Sequence, residues 1–146
     1  MNGYWGNYKS TLDSKGRINF PAKIRKNLGE DDQDAVILIR GKEKYISCYP
    51  LSSWYEKIEK IKNIVDNDHE FGLVSRRLMY QASEQRIDKQ GRLNISAELI
   101  DFAGLSGEIM IVGYEKKIEL WNPERYSESV NGSELDYMKI TQDLDI

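Results

Sequence analysis

A single cysteine in 146 residues, Cys48, excludes an internal disulfide framework and fits a reducing cytosol. It lies in the strand-like stretch Tyr45–Tyr49, where a buried structural thiol is expected rather than a reactive one. A single histidine, His69, cannot supply the repeated His or Cys spacing of a zinc site. It stands in the run Asp66-Asn67-Asp68-His69-Glu70, read as a solvated loop between two helices. Long apolar runs are missing too. Ala35–Ile39 and Ile109–Val112 are strand-length and far short of the roughly 20 residues that span a membrane. The first residues, MNGYWGNYKS, hold neither an apolar run nor a basic lead, so no signal peptide is expected. No glycine-rich phosphate loop occurs, because Gly16 and Gly91 are isolated. Proton transfer and nucleophilic attack need a poised group and a partner that orients it. No such set is found, so no catalytic residue, metal site or cofactor is assigned, and the chain is not expected to be an enzyme.

The net charge of −3 argues mildly against a polyanionic partner, but its distribution points the other way. From Lys9 to Lys26, Lys9, Lys15, Arg17, Lys23, Arg25 and Lys26 face only Asp13, a local +5. From Arg76 to Arg92 the balance is +3, and from Glu124 to Ile146 it is −4. Both positive blocks are therefore segregated from the acid, a footprint that suits nucleic acid.

Those blocks run up to a motif that occurs twice. Residues 13–24 read DSKGRINFPAKI and residues 88–99 read DKQGRLNISAEL, with five of twelve positions identical and three conservative. The match continues downstream, where VILIRGKEKYISCYP (36–50) aligns with IMIVGYEKKIELWNP (109–123). A duplication changes what counts as a domain. Each copy holds roughly 45 residues, near the size below which a chain buries too little surface to stay folded alone. The economical arrangement is two half-domains that complete each other's core about a pseudo-two-fold axis.

Each copy reads as strand, turn, strand, short helix, hairpin. Residues 4–12 form the entering strand. Asp13-Ser14-Lys15-Gly16 and Asp88-Lys89-Gln90-Gly91 are type I turns, which favour Asp first and Gly fourth. In the next strand Ile18 and Phe20 oppose Arg17 and Asn19, as Leu93 and Ile95 oppose Arg92 and Asn94. Pro21 is expected at the first position of a helix ending near Leu28 and closed by Gly29. Ser96 and Gly104 are its N-cap and terminator in the second copy. Val36–Ile39 with Tyr45–Tyr49, and Ile109–Val112 with Lys117–Trp121, are hairpins. Between the copies, Ser53-Trp54-Tyr55-Glu56 has the form of a capping box. Trp54, Ile58, Ile61 and Val65 then mark one helix face, and Phe71, Val74, Leu78 and Ala82 mark a second, about 71–82. The two helices are expected to form a hairpin on the barrel. The expected organisation is repeat one at 4–52, a helical linker at 53–80, repeat two at 81–125 and an acidic tail at 126–146. The tail is expected to be weakly helical over 134–144, and its polar, acidic composition is compatible with partial disorder.

Asp13 and Asp88 are explained by bracing their turns, together with Gly16 and Gly91. Arg17 and Arg92 are not, since neither a tight turn nor a short strand requires arginine there. They either pair with the adjacent Asp or display two guanidinium groups beside Lys15 and Lys89, and the two roles are compatible. Guanidinium forks match phosphate oxygens and the guanine edge bidentately.

The doubled D-x-x-G-R motif, each copy followed by a short helix and the two separated by a helical linker, resembles the MraZ proteins. Their halves are similar to the AbrB-type swapped-hairpin DNA-binding domain. The resemblance covers roughly residues 4–125. It implies an α+β, mainly β fold: a duplicated AbrB-like swapped-hairpin β-barrel with flanking helices. It also implies a bacterial transcriptional regulator, cytoplasmic and nucleoid-associated, acting at the head of a cell-division and cell-wall gene cluster. The implied assembly is a ring-like homo-oligomer on short direct repeats in double-stranded DNA, with no membrane partner. Carried over residue by residue, the paired DNA-contacting arginines fall on Arg17 and Arg92, with Lys15 beside the first. Gln90 stands where Lys15 does and Lys89 where Ser14 does, so the lysine contacts differ between copies. Two rivals stay open: a non-catalytic interaction module of the same fold, antitoxin-like or a ring scaffold, and more distantly a metal- or nucleotide-dependent enzyme.

Overall fold

In the computed structural model, which describes residues 3–28 and 34–146, the chain runs in fourteen elements. In order they are β1 (Asn7–Thr11), β2 (Arg17–Asn19), α1 (Ala22–Arg25), β3 (Ala35–Arg40), β4 (Ile46–Pro50), α2 (Leu51–Ile64) and α3 (Asp68–Gln81). β5 (Ser83–Arg86), β6 (Arg92–Asn94), α4 (Ala97–Ala103), β7 (Glu108–Tyr114), β8 (Lys117–Trp121), α5 (Pro123–Val130) and α6 (Glu134–Asp143) follow. The class is α+β, with every strand pair antiparallel. Helices hold more of the described residues than strands, so the expected "mainly β" balance is corrected.

The expected closed barrel is corrected as well. Six strands form a sheet in the order β1-β7-β8-β4-β3-β5, and β2 and β6 form a separate two-stranded ribbon. The pairing crosses between copies. β1 of the first copy pairs with β7 of the second, β5 of the second with β3 of the first, and β2 with β6. Neither copy could satisfy its own edge strands alone, and an unpaired buried backbone group is costly.

The core follows from this exchange. Ile18, Phe20, Ile24, Val36, Leu38 and Ile46 of the first copy share one cluster with Ile87, Leu93, Ile95, Leu99, Ile109, Ile111, Ile118 and Leu120 of the second. Alternation along β3 sends Val36 and Leu38 into that cluster. Ile37 and Ile39 go to the opposite sheet face, where Trp54 and Ile58 of α2 and Leu78 of α3 cover them. The same face is covered further along by Tyr126 of α5, packed against Trp121 beside Tyr45. There Lys117 Nζ donates to Tyr45 Oη at 2.9 Å and pairs with buried Glu119 at 3.0 Å. Burial opposes the lysine charge, but these two partners outweigh it and raise its pKa.

Several local expectations change. Pro21 is the N-cap rather than the first helical residue, and α1 stops at Arg25. Gly29, its expected terminator, lies outside the described residues. α2 begins at Leu51 behind Pro50, with no side-chain cap bond, so Ser53 and Glu56 are interior and form no capping box. α3 begins at Asp68. Asn67 Oδ1 accepts from Glu70 N–H at 2.9 Å, and Glu70 Oε2 accepts from Asp66 N–H at 2.7 Å. The acidic run around His69 is therefore a helix cap rather than a loop, and His69 is exposed in its first turn. Val74, assigned to the packed face of α3, is exposed. In the acidic tail the structure draws α5 and α6. In the second copy Ser96 Oγ accepts from Leu99 N–H, and Gly104 ends α4 in the left-handed conformation, both as expected. Cys48 is fully buried, which pushes its thiol pKa far up and leaves it inert.

Candidate nucleic-acid interface

The repeated motif folds identically twice. Gly16 N–H donates to Asp13 O at 3.1 Å, and Gly91 N–H to Asp88 O at 2.9 Å, closing each turn. Both glycines have positive φ, 79° and 83°, a region that L side chains rarely adopt. Asp13 Oδ1 accepts from the N–H groups of Lys15 and Arg17, both at 2.9 Å, and Asp88 Oδ1 accepts from those of Gln90 and Arg92, both at 2.9 Å. These bonds favour the ionised carboxylate. The N–H of Arg17 does most to hold Asp13 below the ordinary carboxylate value, and the N–H of Arg92 does the same for Asp88.

The second carboxylate oxygen explains the arginine. Asp13 Oδ2 accepts from Arg17 Nε–H at 2.9 Å, and Asp88 Oδ2 from Arg92 Nε–H at 2.8 Å. The ion pair that formed one reading of these arginines is thus present. It uses Nε, and among the described residues no bond engages the terminal Nη groups. Each Asp therefore aims a fork that still has donors to offer.

The ribbon fixes where the forks lie. Arg17 pairs with Asn94, Ile18 with Leu93 and Asn19 with Arg92. Paired residues share a face, so Ile18 and Leu93 enter the core while Arg17, Asn19, Arg92 and Asn94 point outward. The two arginines occupy diagonal corners, about 8 Å apart at Cα by strand geometry. Lys15 and Lys89 are exposed at the tips of the two turns. The structure thus brings all the sequence-predicted residues onto the ribbon and the two turns that lead into it. A two-stranded ribbon fits the major groove, and arginine and asparagine are the side chains that match guanine and adenine edges.

Sequence reasoning missed the surroundings of the ribbon. A Cβ placed on Gly91 would lie 3.0 Å from Arg25 Nη1, so the Arg25 guanidinium packs against the second turn. A Cβ on Gly16 would instead meet Ile100 Cδ1 at 3.4 Å. Arg25 and Ile100 are equivalent positions of the repeat. Lys9, Asn19, Arg25 and Gln90 line one concavity of about 590 Å³ at the Arg92 end of the ribbon. Carrying the alignment past the motif, and noting residue charge at each offset, would have found this.

A family model described as "MraZ protein, putative antitoxin-like" matches residues 4–72 and 78–145, one motif in each stretch. The chain belongs to the MraZ family. A protein named transcriptional regulator MraZ from Natranaerobius thermophilus is 32% identical over 141 residues, covering 97% of this chain and 96% of the relative. One of the same name from Lactobacillus delbrueckii subsp. bulgaricus is 38% identical over 146 residues, with the same coverage. Membership accounts for the doubled motif and bears out the resemblance. Among the described residues no cluster of three or more His, Cys, Asp or Glu could hold a metal, and no helix is long and apolar enough to cross a membrane.

Proposed function

We propose that this chain is a sequence-specific DNA-binding regulator of transcription, not an enzyme, acting on the promoter of its own cell-division and cell-wall gene cluster through direct repeats. The observation that carries the reading is the outward face of the ribbon, where Asp13 and Asp88 hold two guanidinium forks whose terminal nitrogens bond to none of the described residues. Arg17 and Arg92 read or clamp the duplex, Lys15 and Lys89 meet phosphates, and Gly16 and Gly91 keep the turns tight. The names of the relatives support the same reading. A pair of arginines per subunit is a small contact set, so affinity rests on several subunits on one duplex, the later contacts made at high effective concentration. A ring-like homo-oligomer in the cytoplasm, on the nucleoid, fits that need. The experiment is a gel shift with the DNA upstream of this protein's own gene, repeated across salt. Retention that weakens steeply with salt is expected, because displaced counterions accompany phosphate contact.

The antitoxin-like description of the family keeps one alternative, a basic interaction module that meets an acidic protein. A flat salt response, or no retention of the upstream DNA, would favour it.

A further inference from the structure

The Nε of Arg25, on α1, is buried and bonds to nothing, alone in this among the buried side-chain polar atoms of the described residues. None of the ion pairs among those residues includes Arg25 either. A guanidinium drawn partly out of water without an anion is costly, so packing rather than bonding holds this one in place. Gly91 leaves it room, since a Cβ there would stand 3.0 Å from Arg25 Nη1.

The concavity that Arg25 lines has the composition of an anion site. Lys9 shares it, as do the amides of Asn7, Asn19 and Gln90, and no Asp or Glu does. Lys9 and Arg25 give the lining a formal charge of +2. Ser10 Oγ donates to Asn19 O at 2.9 Å, which ties β1 to β2 beside the site. Asn19 lies opposite Arg92 in the ribbon, about 5 Å away at Cα. The duplication supplies an internal comparison. At the equivalent places of the second copy, Glu84 stands for Lys9, Ile100 for Arg25 and Ala82 for Asn7, while Lys15 stands for Gln90. There Lys15 and Glu84 cancel, and Ile100 lies against Gly16 as Arg25 lies against Gly91.

We propose that the concavity beside the Arg92 turn seats one backbone phosphate of the bound duplex, with Lys9 and Arg25 as its cations. Having no counterpart at the Arg17 end, the seat fixes the direction in which a subunit lies on the DNA. The inference rests on the proposed function and deepens it. Phosphate contacts carry no sequence information but set register and orientation, and charge-assisted bonds from arginine to phosphate are among the strong ones. Two symmetric arginines alone would let the ribbon bind either way round. A single off-centre seat removes that choice, so neighbouring subunits engage successive repeats in the same sense.

The test is phosphate-ethylation interference on the DNA upstream of this protein's gene, with bound and free fractions separated by gel shift. Thermal melts are the folding controls. Wild type is expected to show, on one flank of each bound element, interfering phosphates that have no mirror image on the other. Lys9→Glu/Arg25→Ile gives the first copy the residues of the second. It should lose that one-sided cluster, bind several-fold more weakly and show a salt slope reduced by about 1. Glu84→Lys/Ile100→Arg should add a second cluster on the opposite flank. Lys9→Gln, which leaves the packing of Arg25 intact, should weaken the first cluster even if the double variant melts early. A mirror-symmetric wild-type pattern, or a cluster that survives in both Lys9 variants, overturns the seat while DNA binding stands. Failure of wild type to retain the DNA at all overturns both readings.

Discussion

At the Arg17 end and the Arg92 end of the ribbon the backbone does the same thing: an Asp-braced turn, a left-handed glycine and an arginine held through Nε. The flanks of those ends differ. Lys9, Lys23, Arg25 and Lys26 of the first copy are replaced at the equivalent places of the second by Glu84, Glu98, Ile100 and Asp101. Arg25 packs on the second turn and Ile100 on the first, so the cations of α1 gather at the Arg92 end and the acids of α4 at the Arg17 end. Geometry and surface charge thus answer to separate demands. A turn that must aim a guanidinium tolerates few sequences, whereas an exposed flank accepts either sign. On the proposed function the symmetric part is the part that meets the duplex, and the asymmetric part gives the ribbon two ends of unequal charge.

The most severe way to break the symmetry is to cut it. A chain ending near Val65 keeps β1 without β7 and β3 without β5. It is expected to be unfolded or aggregated alone and to gain circular dichroism signal when mixed with residues 76–146. A cooperative melt from the first half by itself would refute the interlocked core. Next in size, Ile18→Ala and Leu93→Ala test whether the buried side of the ribbon is as symmetric as its pairing. Both residues are buried, and each truncation should cost about 2–5 kcal/mol in denaturant unfolding, with similar values for the two. A large difference would mean that one copy carries the core.

Smaller effects sharpen the contrast between the flanks. Lys23→Glu/Lys26→Asp gives α1 the charges that α4 carries at the same places. It should weaken DNA binding several-fold and lessen its salt slope by about 1 for each phosphate that is no longer neutralised. The same charge change on α2, Lys57→Glu/Lys60→Asp, should alter DNA affinity less when binding is compared at equal oligomer mass. Equal effects would make the flank asymmetry irrelevant to the duplex. Smallest is the response to acid. The folded pKa values of Asp13 and Asp88 lie below the ordinary 3.8, so their stabilisation is complete above that value and is lost as pH falls through the lower folded values. Asp13→Asn should flatten this acid limb of the unfolding curve and lower stability slightly at neutral pH, where the charged carboxylate now contributes. An unchanged limb would deny that the turns are braced by charge.

Much of this was legible from residues. The doubled D-x-x-G-R turns, the Ile18 and Leu93 alternation, both hairpins and the Ser96 and Gly104 caps are local matters, settled within a few residues. The α2 start was not. Ser53 and Glu56 stand at capping-box spacing, but Pro50 had already set the backbone for a helix from Leu51. Long-range partners were hidden as well. No local pattern states that β1 pairs across to β7, that the sheet stays open at β1 and β5, or that Lys117 neutralises Glu119. The site residues were named from the motif, while the Arg25–Gly91 contact depended on how the copies interlock.

The most direct test of the account is a fluorescence anisotropy titration of the DNA upstream of this protein's gene with wild type and Arg17→Ala/Arg92→Ala, each also melted thermally. Removing a good bidentate base contact costs about 1–3 kcal/mol per site, whereas ion pairs as open to solvent as these two contribute little to folding. The account predicts that the double variant loses specific binding while its melting midpoint stays close to that of wild type. Normal binding by the double variant, or a midpoint far below wild type, would contradict it and make the two arginines structural.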